Sequence, residues 1–418
     1  GSPGMTRAGH IVSLLALALV SAGAATARAQ QSDLVKRGEY LERAADCEVC
    51  HTAPGGTPYA GGRAFDLPGI GRIYAPNITP DRETGIGAYT DAQFESAVRM
   101  GVAPGWKHLY PVMPYASYAR MTPDDVRAIR AYLATLPAVH APAPPNVVRF
   151  PYNIRAVMLA WNLLYRPSSP LADEPGRSAA WNRGRYLVEA AGHCAECHSP
   201  RTMLQATSRD RSYAGAVTNG WIAYNISSDP DSGIGAWNDS QLTDYLSTGH
   251  ADGRGTAAGP MAEVVGHSLR YLTPQDIAAM VTYLRSLPAR PANETITAVA
   301  PDALASASLS HSDGAGLFAG ACAGCHLTDG KGRQVDFAAL WGARAFGEIR
   351  GRNLVRVMLE GSRLDTAHGA MTMPAFGPEY RDQDLADIAN FAIGHFGNRV
   401  GHVTAHDVAE ARASPSAP

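Results

Sequence analysis

Three short motifs in this chain combine two cysteines with a histidine at a fixed spacing. Each reads Cys-x-x-Cys-His. Two thiols one helical turn apart can form thioethers with the two vinyl groups of one porphyrin, and the adjacent imidazole can then reach its iron. The motifs use all six cysteines of the chain. The sequence therefore predicts three covalently bound haem c groups, attached through Cys47, Cys50 and His51, through Cys194, Cys197 and His198, and through Cys322, Cys325 and His326.

Two other uses of Cys-x-x-Cys are less consistent with the pattern. A structural zinc site draws four ligands from two such motifs, and it does not require a histidine after every second cysteine. A thioredoxin-like redox pair would occur once, at the start of a helix that follows a strand. Three repeats that exhaust the cysteines favour haem.

Methionines near the end of each module are the candidate distal ligands. Met113, Met261 and Met373 each stand beside a proline, ahead of the module's last predicted helix. A thioether is a weaker donor than imidazole, so His/Met ligation raises the reduction potential and suits electron transfer. The predicted axial pairs are therefore His51 with Met113, His198 with Met261, and His326 with Met373. Met371 is a close competitor of Met373.

Two alternatives for these positions stay open. Any single methionine is more often a core residue than a ligand. Bis-histidine ligation is also possible, because four histidines lie in or near the same segments, namely His108, His250, His267 and His368. No histidine recurs at matching positions of the modules, which favours methionine.

Helical signals surround each motif and predict the fold. A helix with an internal glycine precedes each motif, and the recurring glycines are Gly38, Gly184 and Gly316. Glycine inside a helix costs about 1 kcal/mol relative to alanine, so its recurrence predicts a close crossing with another helix. The predicted partner in this crossing is the amphipathic helix that ends each module. In the first two modules this helix begins at Thr122-Pro123 and at Thr273-Pro274. We expect an all-α protein of three tandem cytochrome c-like haem domains joined by linkers.

The first two modules align almost end to end, while the third is shorter. Cys47 and Met113 are 66 residues apart and Cys194 and Met261 are 67 apart, compared with 51 from Cys322 to Met373. Asn77-Ile78-Thr79 and Asn225-Ile226-Ser227 match the glycosylation pattern, but their equivalent positions suggest loops that hydrogen-bond around haem propionates.

The predicted divisions of the chain are a cloning remnant and signal peptide (1–29), domain 1 (30–140), a linker with an apolar helix (141–177), domain 2 (178–290), a linker (291–312), domain 3 (313–397) and a polar tail (398–418).

Composition and targeting signals indicate the cellular location of the protein and exclude one class of partner. The net charge is −2 with 18% charged residues, so the chain lacks the basic surface of a nucleic-acid-binding protein. An apolar run from Ile11 to Ala25, followed by Ala27-Arg28-Ala29, predicts a secretory signal peptide and hence a bacterial periplasmic location. The segment Ile154–Tyr165 is too short to span a bilayer, and it predicts a helix that packs on the haem domains or docks on a partner or on lipid.

Beyond the three haem motifs, several segments resemble a known family, the triheme cytochrome c subunits of periplasmic, membrane-bound dehydrogenases. They are Tyr59-Ala60-Gly61-Gly62, Asn77-Ile78-Thr79-Pro80-Asp81, Gly85-Ile86-Gly87, Leu109 to Tyr115, Met261 to Val265, and Met373-Pro374-Ala375-Phe376. They cover nearly the whole predicted mature chain.

The resemblance implies a role in a respiratory complex. Electrons from a catalytic subunit that oxidises alcohols, aldehydes, sugars or sugar acids, and that carries pyrroloquinoline quinone, flavin or molybdenum, would pass along the haems to membrane ubiquinone. The protein would be peripheral on the outer face of the inner membrane. Some relatives end in a long tail thought to meet the membrane, so the short polar tail here leaves that contact to a partner or to the linker helix. The alternatives are a free-standing carrier to a terminal oxidase and a haem peroxidase, which needs an open iron.

Overall fold

The computed structural model describes residues 29–67, 69–292 and 312–414. The signal-peptide prediction and nearly all of the predicted linker 291–312 fall outside these residues. We refer to residues 30–140, 178–290 and 313–397 as modules 1, 2 and 3.

Module 1 is a set of helices around small antiparallel hairpins. Its helices are α1 (29–44), α2 (Cys47–Cys50), α3 (Asp91–Glu95), α4 (Tyr115–Tyr118) and α5 (Pro123–Leu133), with a π-helical turn at Ser96–Met100. Its strands are β1 (Ala64–Leu67), β2 (Gly71–Tyr74), β3 (Val102–Ala103) and β4 (Lys107–His108). The linker that follows adds β5 (Val147–Val148), which pairs with β2, and helix α6 (Val157–Tyr165).

Module 2 repeats this order with small differences. Its helices are α7 (Ala179–Tyr186), α8 (Ala195–His198), α9 (Asp239–Thr248), α10 (Pro260–His267) and α11 (Pro274–Arg285), with a π-helical turn at Leu187–Ala191 and a 3₁₀ turn at Leu269–Tyr271. Its strands are β6 (Ala216–Thr218), β7 (Trp221–Ala223), β8 (His250–Ala251) and β9 (Gly255–Thr256). A π turn accommodates one inserted residue. The turn at Leu187–Ala191 therefore accounts for the extra residue between Gly184 and Cys194 compared with the interval from Gly38 to Cys47.

Module 3 keeps the helices and has one longer hairpin. Its elements are α12 (Ser312–Ala321), α13 (Ala323–His326), 3₁₀ turns at Asp336–Ala338 and Arg344–Gly347, α14 (Arg352–Glu360), β10 (Ser362–Thr366), β11 (Gly369–Met373) and α15 (Asp382–Gly397). The predicted polar tail contains a further helix, α16 (Ala405–Ala413), which packs on α15 and buries Val408. That segment is therefore part of the folded module.

The all-α expectation is only partly correct. The fold is helix-rich, but the described residues also contain one three-stranded sheet, β1–β2–β5, and four two-stranded hairpins. The hairpins β3–β4 and β8–β9 have strands of only two residues. Such short strands leave no alternating pattern in a sequence. The longest, β10–β11, carries the candidate ligand Met373.

The close helix crossing is confirmed in all three modules, with one correction. A Cβ on Gly38 would lie 1.9 Å from the carbonyl oxygen of Ala128 in α5, and a Cβ on Gly184 would lie 1.9 Å from that of Ala279 in α11. In module 3 the prediction of Gly316 was wrong, because nothing lies within 4 Å of its Cβ position. The crossing residue is Gly314, whose Cβ would lie 2.2 Å from the carbonyl oxygen of Asp387 in α15.

Modules 1 and 2 pack against each other through reciprocal contacts. The Tyr40 hydroxyl of module 1 donates to Asp276 at the start of α11, at 2.5 Å, and the Tyr186 hydroxyl of module 2 donates to Asp125 at the start of α5. Each tyrosine oxygen also accepts from the backbone N–H of the residue that caps the same helix, Thr273 or Thr122. One continuous hydrophobic core joins the two modules, whereas module 3 has its own. The internal duplication therefore forms a pseudo-symmetric pair.

Helix α6 covers the junction of modules 1 and 2 with one face. The Trp161 indole N–H donates to the Leu204 carbonyl of module 2 at 2.9 Å, and the Asn162 amide donates to the Met100 carbonyl of module 1 at 3.4 Å. The opposite face is exposed and apolar, with Leu163 79% exposed. The predicted packing role is confirmed for one face, and the side chains of the other face are exposed.

Candidate haem-binding sites

The three motifs have the local structure that haem attachment needs. The helices α2, α8 and α13 each form a single turn, which places the two cysteines of a motif on the same side. None of the six cysteines is paired in a disulfide. Among the described residues, no group of three or more His, Cys, Asp or Glu side chains is arranged to hold a metal ion.

The three motif histidines have the same hydrogen bond. Nδ1 lies 2.7 Å from the Pro76 carbonyl oxygen in His51, 2.6 Å from that of Tyr224 in His198, and 2.7 Å from that of Ala338 in His326. A carbonyl oxygen only accepts, so Nδ1 carries the proton and Nε2 keeps its lone pair. Such a bond orients an imidazole for metal ligation through the other nitrogen. The histidines therefore fit the proximal role in all three sites.

The protonation of the motif side chains also suits haem better than thiol redox chemistry. Burial raises the pKa of Cys50 to about 12 and that of Cys197 to about 11. A reactive Cys-x-x-Cys pair has a lowered thiol pKa instead. Burial lowers the pKa of His51 and of His198, which keeps these imidazoles neutral, as a metal ligand must be.

The three candidate methionines lie in different types of secondary structure. Met113 lies in the turn before α4, and its carbonyl accepts from the Tyr115 N–H at 2.7 Å. Met261 is the second residue of α10, after Gly259 with φ +54° and Pro260. Met373 ends strand β11. Each methionine precedes the last core helix of its module, as predicted, but only Met113 lies in a segment without regular secondary structure.

The packing of module 3 separates Met373 from Met371. Met373 and Cys322 both pack on the core of module 3, which includes Phe318 and Leu385. Met371 packs instead on the core that modules 1 and 2 share. This difference favours Met373 as the distal ligand, in agreement with the sequence-based preference.

The candidate histidine ligands have other contacts. His250 Nδ1 lies 2.8 Å from the Thr256 hydroxyl oxygen, and His267 Nε2 lies 3.9 Å from Asp365. His368 is exposed in the turn between β10 and β11. His108, in strand β4, has a buried Nδ1 without a hydrogen-bond partner.

Hydrogen bonds of the asparagine side chains fix the Asn-Ile-Thr/Ser loops. The Asn77 amide donates to the Val139 carbonyl at 2.7 Å, and the Thr79 N–H donates back to the Asn77 side-chain oxygen at 2.8 Å. Asn225 has the same role, with the Arg290 carbonyl as its acceptor. Both asparagine side chains are buried, which leaves no accessible amide for glycosylation. Each asparagine therefore connects its loop, through a hydrogen bond, to the segment that follows the last helix of its module.

The first two sites lie next to each other across the module interface. Arg63 donates to the Val49 carbonyl inside the first motif at 3.0 Å and to Glu263, two residues after Met261, at 2.9 Å. In the opposite direction, the Ser117 hydroxyl, four residues after Met113, donates to Glu196 inside the second motif at 2.9 Å. Each motif is thus joined to the helix beside the other module's methionine.

The third site adjoins the second through its methionine hairpin. Strand β10 packs along α10, so that the segments bearing Met261 and Met373 are neighbours. Leu364 of β10 is buried in the core of modules 1 and 2. The Thr256 hydroxyl of module 2 donates to the Phe337 carbonyl of module 3 at 2.9 Å. The three sites therefore follow one another in the order of the chain.

These features define a class of protein, a multihaem c-type cytochrome. The cytochrome c family matches residues 35–137, 182–288 and 311–392, and each match contains one haem motif. The chain belongs to the cytochrome c family.

Curated relatives resemble this chain over most of their length. It is 40% identical to the fructose dehydrogenase cytochrome subunit of Gluconobacter japonicus, over 91% of this chain and 82% of the relative. It is 40% identical to the gluconate 2-dehydrogenase cytochrome c subunit of Pantoea cypripedii, over 96% and 95%. It is 34% identical to the cytochrome c subunit of the quinone alcohol dehydrogenase of Gluconobacter oxydans (strain 621H), over 98% and 88%.

Proposed function

We propose that this protein is the triheme electron-transfer subunit of a periplasmic dehydrogenase complex. It accepts electrons from a catalytic subunit that oxidises an alcohol, an aldehyde, a sugar or a sugar acid, and it passes them to ubiquinone. Relatives named as cytochrome subunits of fructose, gluconate and alcohol dehydrogenases support this role. The contiguous row of three sites is the observation in this chain that carries the proposal.

The chain's own residues account for carriage of electrons without substrate turnover. Haem c, when bound, supplies one-electron redox chemistry. His51, His198 and His326 would hold the iron through Nε2, and Met113, Met261 and Met373 would supply its second protein ligand. A thioether ligand favours the reduced state and leaves no open position for a substrate. The contacts of Arg63 with Glu263 and of Ser117 with Glu196 hold the first two sites at a fixed separation.

Peripheral attachment to the membrane is part of the proposal, and helix α6 supports it. No helix among residues 29–67, 69–292 and 312–414 is long and apolar enough to cross a bilayer. The outer face of α6 exposes Leu159, Leu163 and Leu164, and Phe150 is exposed just before it. Between residues 141 and 172 the charged residues are three arginines, with no acid. Apolar side chains flanked by cations are typical of a helix at an anionic lipid interface.

Reconstitution with the dehydrogenase subunit that co-purifies tests this function. In liposomes that contain ubiquinone, the complex is expected to reduce quinone when its substrate is added. The double variant Leu159→Glu, Leu163→Glu should slow quinone reduction at least about tenfold, because charged side chains weaken interfacial binding. It should leave reduction of a water-soluble acceptor unchanged.

The matched control is Met203→Glu, which places the same charge at an exposed apolar residue of module 2, outside α6. It should behave as the native protein. Purification of the cytochrome as a lone soluble protein, without a dehydrogenase, would contradict the proposed function. Full quinone reduction by the double variant would contradict the role of α6 alone.

A further inference from the structure

A cavity lies where modules 1 and 2 meet helix α6. Its volume is about 320 Å³. Protein interiors contain few voids larger than a water molecule, and binding sites for small organic ligands begin at about 300 Å³. Its walls come from the segment that bears Met113, from α6, and from the second haem motif with the loop that follows it. The cavity is therefore large enough to hold a compact organic ring.

The cavity adjoins two of the candidate haem sites. Met113, the candidate distal ligand of the first site, is one of its lining residues. Ala195 and Glu196, which stand between the two cysteines of the second motif, also line it. A ligand in the cavity would therefore contact the polypeptide that holds the first haem and the polypeptide that holds the second. Two one-electron donors beside one ligand suit an acceptor that takes two electrons.

Aromatic side chains form part of the lining and connect it to the outer surface of α6. Trp161 and Tyr165, whose ring centroids are 5.2 Å apart, line the cavity from α6, and Tyr213 and Tyr283 line it from module 2. Aromatic side chains pack favourably against another flat ring. The opposite face of α6 carries the exposed leucines, among them Leu163. One helix therefore separates the proposed lipid surface from the cavity.

Charged side chains of the lining can donate hydrogen bonds and carry protons. Arg120 pairs with Glu189 at 3.3 Å, and Arg201 pairs with Glu196 at 2.9 Å. Arg290 also lines the cavity, and its buried Nε has no hydrogen-bond partner among the described residues. A guanidinium donates to carbonyl oxygens, and a carboxylate accepts a proton. The lining therefore combines donors for ring carbonyls with groups that can deliver protons to them.

We propose that this cavity binds the ring of ubiquinone, with the isoprenoid tail extending past α6 into the membrane. The inference rests on the proposed function and assigns its quinone site. Reduction of the ring takes two electrons and two protons, Q + 2e⁻ + 2H⁺ → QH₂, so that both carbonyl groups become hydroxyl groups. The electrons come one at a time from the dehydrogenase through the haems. The protons come from water by way of Glu189 and Glu196.

Photoaffinity labelling of the haem-loaded protein in detergent, without a dehydrogenase, tests the site directly. The probe is a short-tailed azido-ubiquinone, and labelled peptides are identified by mass spectrometry. Label is expected in residues 111–120, 161–167 or 195–213, which contain most of the lining. Excess decylubiquinone should prevent the labelling, whereas phosphate should not. Label confined to other segments would overturn the proposal, and so would label that phosphate prevents and decylubiquinone does not, since the arginines would then hold an anion.

Two variants fill the cavity from different modules, Ala116→Phe from module 1 and Thr207→Phe from module 2. Each is expected to raise the Kd of decylubiquinone at least about tenfold, because the added ring overlaps the ligand. Ala134→Phe makes the same change at an exposed alanine of module 1 outside the cavity, and it should keep the native Kd. Intact mass and the reduced spectrum with carbon monoxide report whether each variant keeps three haems with closed irons. A native Kd in both filled variants would overturn the proposal.

The quinone site and the proposed function fail in different ways. If the native protein binds the probe in the cavity but its complex does not reduce ubiquinone in liposomes, the function is wrong and the binding site stands. If the complex reduces ubiquinone but the label lies in other segments, the function stands and the cavity is not the quinone site.

Discussion

Replacing Met373 by alanine is expected to lower the reduction potential of one haem and to open its iron to carbon monoxide. Met373 packs on the core of module 3 together with Cys322 of the third motif. Loss of a thioether ligand should lower the potential by about 0.1 V or more, within the range of about 0.8 V that axial ligands span. Redox titration and the reduced spectrum with and without carbon monoxide measure the two effects.

Met371→Ala is the matched control, since Met371 is two residues away on the same strand and packs on the core of modules 1 and 2. It should leave the three potentials and the carbon monoxide response unchanged, at a modest cost in stability. The reverse pattern, with an open iron in Met371→Ala and a closed one in Met373→Ala, would show that the ligand was assigned to the wrong methionine.

Replacing Glu42 by glutamine is expected to stabilise the protein at alkaline pH. Glu42 is fully buried, and its Oε2 has no hydrogen-bond partner. Burial raises its pKa from 4.5 to about 7, against the opposing charge of Arg43. Because the folded pKa is above the unfolded value, the native protein loses stability as pH rises from about 4.5 through 7. The expected loss is about 3 kcal/mol at pH 8, since one pKa unit is worth about 1.4 kcal/mol.

Denaturant unfolding at pH 5 and at pH 8 measures this effect. The difference between Glu42→Gln and the native protein should be small at pH 5 and about 3 kcal/mol in favour of the variant at pH 8. Glu39→Gln changes an exposed acid on the same helix and should follow the native protein at both values. Equal unfolding free energies of Glu42→Gln and native protein at pH 8 would refute a buried, raised-pKa carboxyl group.

Much of the site could be predicted because covalent chemistry constrains residue type and spacing. The three attachment motifs, the recurring glycines at 38 and 184 and the amphipathic closing helices are all local signals. The cytochrome c family match confirms the kind of protein. The preference for Met373 over Met371 relied on a neighbouring proline, and the core packing of module 3 supports it.

The features that sequence reasoning missed depend on contacts between distant segments. Gly314 and Gly316 are both helical glycines, and only the approach of α15 distinguishes them. Arg344 is one of many arginines in the sequence, and only the docking of module 3 on module 2 brings it to the carbonyl oxygen of Asn225. Tyr40 and Tyr186 each follow the crossing glycine of their helix by two residues. Their contacts with Asp276 and Asp125 of the opposite module depend on the paired arrangement of modules 1 and 2.

The intact mass of the mature protein is the most direct test of the central claim. Six cysteines outside any disulfide, two at each of three one-turn helices and each pair beside a histidine with a fixed Nδ1, predict a mass equal to the polypeptide plus three haems. The double variant Cys194→Ser, Cys197→Ser should carry two. A native protein with fewer than three covalently attached haems would contradict the account.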